Sequence, residues 1–424
     1  MFLTQLRRMI LMASSRRVAI VVIYRFAIWL SAVIPLLLGS GYAYAAAAPP
    51  WHQFWKAYQQ YFIDPASGRV IDWHEGGITT SEGQSYALFF ALVDNDRPLF
   101  NKLLAWTQDN LAQDDLGKNL PAWRWGQRND GPWGLLSTNH AADSDLWIAY
   151  DLIQAGRLWH DPYYRQIGLA LARHIAQKEV LDMPVAGPML IPGGKYFRPS
   201  PETLIINASY LPLPLLASLA QAMPDGPWGK MAETLPAVIA GSAPHGFSPD
   251  WVAFNPQKGY FPAPQGVIAS YNAIRVYLWA GMTNPQTPGA GKILRELWGM
   301  STYLHSHPAP PLKVDWQTGK AEGEGPSGFS ACLIPYLASL HEDDLLQVQL
   351  ARLQSKYRPG TGLYGHPPAH YYNQNLALFA LGWYENVFRF GIDGNIIVRW
   401  QKHHKDSSTV SHSSSSAEHG QYDG

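Results

Sequence analysis

The sequence predicts an all-α fold, an (α/α)6 barrel of six helical hairpins, on three observations. Strongly apolar helices recur along the chain, each opened by polar and aromatic residues. Their openings, at positions 82, 143, 207, 270, 327 and 371, lie roughly 60 residues apart and close up toward the end, a period that suits repeated helical hairpins. Each apolar helix is followed by a more charged, amphipathic one. A helix that is apolar all round is buried, whereas a mixed one faces water on one side. Six such pairs give an inner ring inside an outer ring, with the inner N-termini gathered at one mouth.

In chain order, residues 1–45 read as an export signal. Arg7, Arg8, Arg16 and Arg17 form a basic n-region, Phe26 to Leu38 is mostly apolar, and Ala43-Tyr44-Ala45 fits the small-x-small cleavage pattern. Val18 to Leu38 nearly spans a bilayer, interrupted by Arg25, so an uncleaved inner-membrane anchor is the alternative. Either way the body, residues 46–400, is expected outside the cytoplasm, periplasmic or secreted. Trp51 to Phe62 reads as a short amphipathic helix, followed by a turn at Asp64-Pro65-Ala66-Ser67-Gly68.

The first inner helix opens at Thr79-Thr80-Ser81-Glu82 and runs to about Asp94. Hydroxyls there suit the N-cap, and Glu82 sits at the positive end of the helix dipole. Pro98 to Leu111 is its outer partner. The later inner helices run from His140 to Trp159, Asn207 to Ala222, Ser270 to Gly281, Ser327 to Leu340 and Tyr371 to Val387. The outer partners fall at Pro162–Val180, Trp228–Ile239, Lys292–Tyr303 and Leu345–Lys356. Strand content is expected to be small, a hairpin around Phe254 to Val267. Residues 401–424 lack apolar periodicity and read as a disordered tail.

Composition narrows the function. Charged residues make up 15% of the 424 and the net charge is zero, so nothing electrostatic points to nucleic acid. Aromatics reach 13%, with 17 Trp and 22 Tyr, which fits either a large aromatic core or platforms for sugar rings. Cys332 is the single cysteine and lies in the apolar run Ala331 to Leu337, so a buried thiol is expected and no disulfide within the chain. No metal or other cofactor is expected: His403-His404 lacks further ligands, and Pro367-Pro368 prevents a helix from putting His366 and His370 on one face.

Two inner-helix openings bring acids to the mouth, Glu82 and the pair Asp143 and Asp145. Carboxylates facing across a groove are what glycoside hydrolysis requires, one protonated to donate to the leaving oxygen and another ionised. The helix dipole lowers the pKa of Glu82, while apolar surroundings and an ionised Asp143 raise it. Asp145, two residues on, cannot share the face of Asp143 and is expected to cap or brace the helix.

Thr79-Thr80-Ser81-Glu82-Gly83-Gln84-Ser85-Tyr86 resembles the acid-bearing segment of family 8 glycoside hydrolases. Ala142-Asp143-Ser144-Asp145, with Ile148-Ala149, Ala155 and Trp159, resembles that family's signature, with Ala142 where Ser or Thr is usual and Ser144 where Ala or Gly is usual. Ser270-Tyr271-Asn272-Ala273-Ile274-Arg275-Val276 resembles the segment that carries the base. The resemblance covers about Trp51 to Trp400 and is strongest to the branch that accompanies bacterial cellulose synthases. It implies an α/α six-hairpin barrel, a groove for β-1,4-glucan and hydrolysis with inversion. The cellulose-export machinery is the implied neighbour, and the chain is expected to be a monomer.

By position, the resemblance makes Glu82 the general acid and gives Asp143 the holding and distorting of the sugar beside the cleaved bond. Asn272 occupies the base position, where the cellulase branch has Asp. A neutral amide holds a water but cannot accept its proton. Three readings follow. Another carboxylate acts as base, with Glu322 and Glu324, ahead of the fifth inner helix, as candidates. Alternatively the protein is a weak hydrolase or a non-hydrolytic glucan-binding pseudoenzyme in polymer export, or the Asn is introduced to trap substrate. Trp125, Tyr210, Trp251, Tyr271 and Tyr372 are candidates for stacking or hydrogen bonding to sugar, and Arg275 for orienting Asn272. A polysaccharide lyase on a similar barrel would want a Tyr or His base and a basic groove for uronic substrate, and that groove signature is missing.

Overall fold

Two kinds of helix alternate in the computed structural model, which describes residues 49–129 and 131–401. The expected signal, its cleavage site and all but the first residue of the expected tail lie outside the described residues. The helices are α1 (Trp51–Phe62), α2 (Ser81–Val93), α3 (Arg97–Leu111), α4 (Ala142–Leu158), α5 (Pro162–Lys178), α6 (Leu213–Ala222) and α7 (Trp228–Ser242). They continue with α8 (Ala273–Met282), α9 (Ala290–Glu296), α10 (Trp298–Leu304), α11 (Ser327–Ser339), α12 (Asp343–Gln354) and α13 (Tyr371–Tyr384). None of the helices in the described residues is long and apolar enough to cross a membrane.

The inner ring is α2, α4, α6, α8, α11 and α13, each packed on the next and α13 back on α2. In α2 every residue except Glu82 is buried. The Thr80 hydroxyl accepts from the Gly83 amide (3.1 Å) and so caps its start. The third inner helix begins later than the sequence suggested. Residues 208–210 form a 3-10 turn, and α6 starts only after Pro212. Proline removes an N–H and fixes φ, and Pro212 at the N-cap and Pro214 in the first turn of α6 stand where no helical N–H bond is lost. The outer ring holds α3, α5, α7, the broken pair α9 and α10, and α12. Its sixth member is α1, from the start of the barrel, packed on α13. The Trp51 amide donates to Glu385 Oε2 (3.0 Å) and its indole N–H to the Leu378 carbonyl (2.8 Å), which closes the ring.

Much of the aromatic content goes into the barrel axis. The Phe379 ring of α13 lies about 5 Å from the rings of Tyr86 and Phe89 on α2, Trp147 on α4 and Trp279 on α8. Such pairs add roughly 0.5–1.5 kcal/mol each beyond area burial. Cys332 is buried in α11, as its sequence context implied.

The inner helices α8 and α11 approach backbone to backbone. A Cβ at Gly281 would lie 2.2 Å from the Tyr336 amide nitrogen and 2.3 Å from the Pro335 carbonyl carbon. Gly281→Ala must therefore push two inner helices apart. Overpacking of this kind costs on the order of 1–3 kcal/mol, and a thermal melt of the variant is expected to show a clear fall in Tm.

Inner-to-outer connections are short, as at 94–96, 159–161 and 340–342, whereas most of the strands sit in the long returns from an outer helix to the next inner one. These returns form the mouth. Strand content exceeds the single expected hairpin. That hairpin is present as Val252–Asn255 with Gly259–Pro262, joined by Leu204–Ile206. Among the described residues five further small sheets are present, including Thr79–Thr80 with Ala122–Gln127 and Trp133–His140. Most of their strands are too short for a period-2 pattern to stand out from loop sequence, and the longer pair Ala122–Gln127 and Trp133–His140 does not alternate regularly.

Candidate active site

Because the inner N-termini face one way, five of the six polar openings, all but that of α11, meet in a cavity of about 420 Å³. Glu82 from α2, Asp143 from α4, Tyr210 ahead of α6, Asn272 and Arg275 at the start of α8 and Tyr372 from α13 all line it.

Arg275 organises the floor. It is 3% exposed. Its Nη1 donates to Glu82 Oε1 (2.6 Å), Asp143 Oδ2 (2.9 Å) and the Tyr86 hydroxyl (2.9 Å), while Nη2 donates to Asn272 Oδ1 (2.8 Å). One guanidinium thus ties three inner helices together. The other Asp143 oxygen accepts from the Ser144 amide (2.8 Å), so its carboxylate is fixed on both sides.

Glu82 Oε2 accepts from the Tyr371 hydroxyl (3.1 Å). Its pKa is raised: the side chain, 20% exposed, is largely withdrawn from water, which penalises the carboxylate, and Asp143 adds like-charge repulsion, against Arg275 and the tyrosine hydroxyls, which pull the other way. Charge counting agrees. Two carboxyls share one buried guanidinium, so a negative charge on both is only half compensated there.

Asn272 presents its amide in a defined sense. Its Oδ1 accepts from both Arg275 and Asn207 Nδ2 (3.0 Å), and Asn207 is itself held by the Ser209 amide and hydroxyl. The amide nitrogen donates to no group among the described residues and is left for the cavity. Asp250 sets the backbone beneath, its Oδ1 accepting from the amides of Ser270, Asn272 and Ala273 (2.8–3.0 Å).

A glutamate whose pKa is raised, a fixed aspartate and a guanidinium in an aromatic-walled groove are parts of a glycoside-cleaving site. Residues 27–386 match the family model described as Glycosyl hydrolases family 8. The chain belongs to glycosyl hydrolase family 8. It is 41% identical over 374 residues to a protein named "Endoglucanase" from Escherichia coli (strain K12), covering 87% of this chain and 96% of that one. Among solved structures it is similar to an endo-1,4-D-glucanase from Vibrio fischeri ES114, at 37% identity and TM-score 0.73, over 83% of this chain and 99% of that one. An endo-beta-1,4-glucanase from Acetobacter xylinum is similar at 25% identity and TM-score 0.63, over 79% of this chain and 98% of that one. These neighbours share the barrel.

Within this family 8 fold, Tyr271 also lines the cavity, and the Tyr372 hydroxyl donates to its carbonyl. Two aromatic candidates lie elsewhere. Trp125 turns from the cavity and stacks on Trp133 (5.2 Å), with the Arg69 guanidinium 4.8 Å over its ring. Irregularities between Ala122 and Trp125 break the strand's alternation, so Trp123 and Arg124 face the cavity instead. Trp251 stacks on Phe197 (5.0 Å) and packs edge-on behind Tyr210. Glu322 and Glu324 also stay apart. They sit on an exposed strand, paired with Lys320 (3.0 Å) and Arg352 (3.6 Å), and do not line the cavity.

Asp145 does not cap α4. It is fully buried, with Glu179 as its neighbour. Tyr86, Tyr371 and Asn207 were missed as site residues. Tyr86 lies four residues after Glu82 and so on the same helix face, a signal that was available. Tyr371 and Asn207 stand in helix openings but carry no charge to single them out.

Proposed function

We propose that the protein is an endo-β-1,4-glucanase that hydrolyses β-1,4-glucan with inversion, of the type associated with bacterial cellulose synthesis and acting in the periplasm or outside the cell. The observation that carries this is the Arg275-centred group, in which one guanidinium holds Glu82 and Asp143 side by side in the groove and the Glu82 pKa is raised. Glu82 donates its proton to the departing glycosidic oxygen. Asp143, pinned by Arg275 and Ser144, holds the sugar beside the cleaved bond through its hydroxyls. Water attacks the anomeric carbon from the opposite face, next to Asn272, and gives up its proton to bulk water, from which Glu82 is reprotonated. The endoglucanase names of the relatives and the export pattern of the first 45 residues support the substrate and the location.

Asn272 favours a second reading, a glucan-binding protein that cuts slowly or not at all, because an amide accepts no proton from water. Reducing-sugar release from carboxymethyl cellulose, measured beside binding of cello-oligosaccharides, separates the two. Release with the α-anomer appearing first by NMR is the result expected of an inverting endoglucanase. Binding without release selects the second reading, and absence of both removes β-1,4-glucan as the ligand.

A further inference from the structure

Behind Asp143, on the far side of the first turn of α4, a second group of ligating side chains lies outside the catalytic floor. His140 ends the strand Trp133–His140, Asp145 is in the first turn of α4, and Glu179 directly follows α5. Each offers one ligand atom, and those atoms lie within 4.8 Å of one another. Asp145 and Glu179 are fully buried, while the His140 side chain is 24% exposed and leaves a path to solvent. The imidazole Nδ1 faces Glu179 Oε1 directly. Among the described residues neither oxygen of Asp145 accepts from an N–H or hydroxyl donor, and its polar neighbours are the Glu179 carboxyl and the His140 ring.

Two buried carboxyls facing each other, with the His140 imidazole as the one possible donor beside them, call for positive charge between them. An imidazole aimed at the same point makes a mixed nitrogen and oxygen donor set. We propose that His140, Asp145 and Glu179 bind a divalent transition-metal ion of the Zn²⁺ class. Three protein ligands suit such an ion, with solvent at the remaining position on the His140 side. The ion pins the strand end, the start of α4 and the end of α5 to one point, two residues from Asp143. Its role is to hold the catalytic aspartate's turn in place; it takes no part in bond cleavage. Histidine pairs close in sequence gave no hint of this group, because its members come from three segments.

The alternative occupant is a single proton shared between the two carboxyls, and Asp145→Asn distinguishes them. Asn copies the shape and hydrogen bonding of a protonated Asp, so a proton-sharing pair tolerates it, whereas a metal site loses a ligand. The full chain, stripped with a chelator, is titrated with ZnCl2 by calorimetry and then melted with and without the ion. One equivalent bound and a raised Tm are expected. Asp145→Asn should weaken Zn²⁺ binding by at least about a hundredfold, at or beyond the range lost with outer-shell partners, and should abolish the Tm rise. His140→Ala, at the half-open ligand, provides the same comparison should Asp145→Asn not fold. Alanine at His403, His404, His412 and His419 should leave the equivalent intact. Absence of binding, or binding that survives loss of His140 or Asp145, overturns the proposal.

Discussion

Asn272→Asp raises turnover on soluble cellulose by about a hundred- to ten-thousand-fold, the usual contribution of a general base. The substitution changes no volume. Arg275 Nη2 and Asn207 Nδ2 already hold Oδ1, so the new oxygen takes the place of the amide nitrogen that faces the cavity. A water that meets a donor there in the present chain would meet an acceptor. Arg275 at hydrogen-bond distance keeps the new carboxylate ionised. The measurement is kcat for reducing-sugar release, with oligosaccharide affinity alongside to separate chemistry from binding. Should the present chain already be fast and Asn272→Asp change little, a base other than Asn272 operates. Glu322→Gln and Glu324→Gln are then expected to be silent, since both carboxylates are exposed and off the cavity. A variant that binds glucan and still never cuts it would sink the hydrolase reading.

The barrel was legible because its signal repeats. All-round apolar helices at a steady interval leave few arrangements other than a closed ring, and that ring brings Glu82, Asp143, Asn272, Arg275, Tyr210, Tyr271 and Tyr372 to one cavity. Each lies at or ahead of an inner N-terminus, so its placement follows from topology alone. What escaped depends on local or nonlocal detail. Trp125 and Trp123 look equivalent in sequence, and strand irregularities decide which one faces the groove. α1 completes the outer ring through partners far along the chain, Trp51 on Leu378 and Glu385 and Phe54 on Tyr364. Asp145 looked like a capping residue because its partner, Glu179, lies beyond the next helix. Composition left the aromatics divided between core and groove. The rings around Phe379 show that much of that content closes the barrel beneath the site.

Glu82→Gln abolishes hydrolysis, with a loss of about a hundred- to ten-thousand-fold or more, while cello-oligosaccharide affinity stays within a few-fold. The amide keeps an acceptor for Arg275 and still reaches the Tyr371 hydroxyl, so the sugar contacts persist and only the transferable proton is gone. The pH profile carries the assignment further. A general acid works while protonated, so activity falls as pH rises through the Glu82 pKa. Burial lifts that pKa above the ordinary carboxyl value, so the alkaline limb should lie above that of an exposed glutamate. Whatever residual activity Glu82→Gln retains should lack this limb. Stability moves the opposite way. With the folded pKa raised, the native state binds the proton more tightly than the unfolded chain. The stability contributed by Glu82 is full below the unfolded pKa and is lost as pH climbs through the folded one. Gln has no such loss. The Tm of Glu82→Gln relative to the parent should therefore rise from pH 4 to pH 7, in a variant that no longer cuts. A melting difference that is flat across this range, or an activity that survives the substitution, would take Glu82 out of the acid's role.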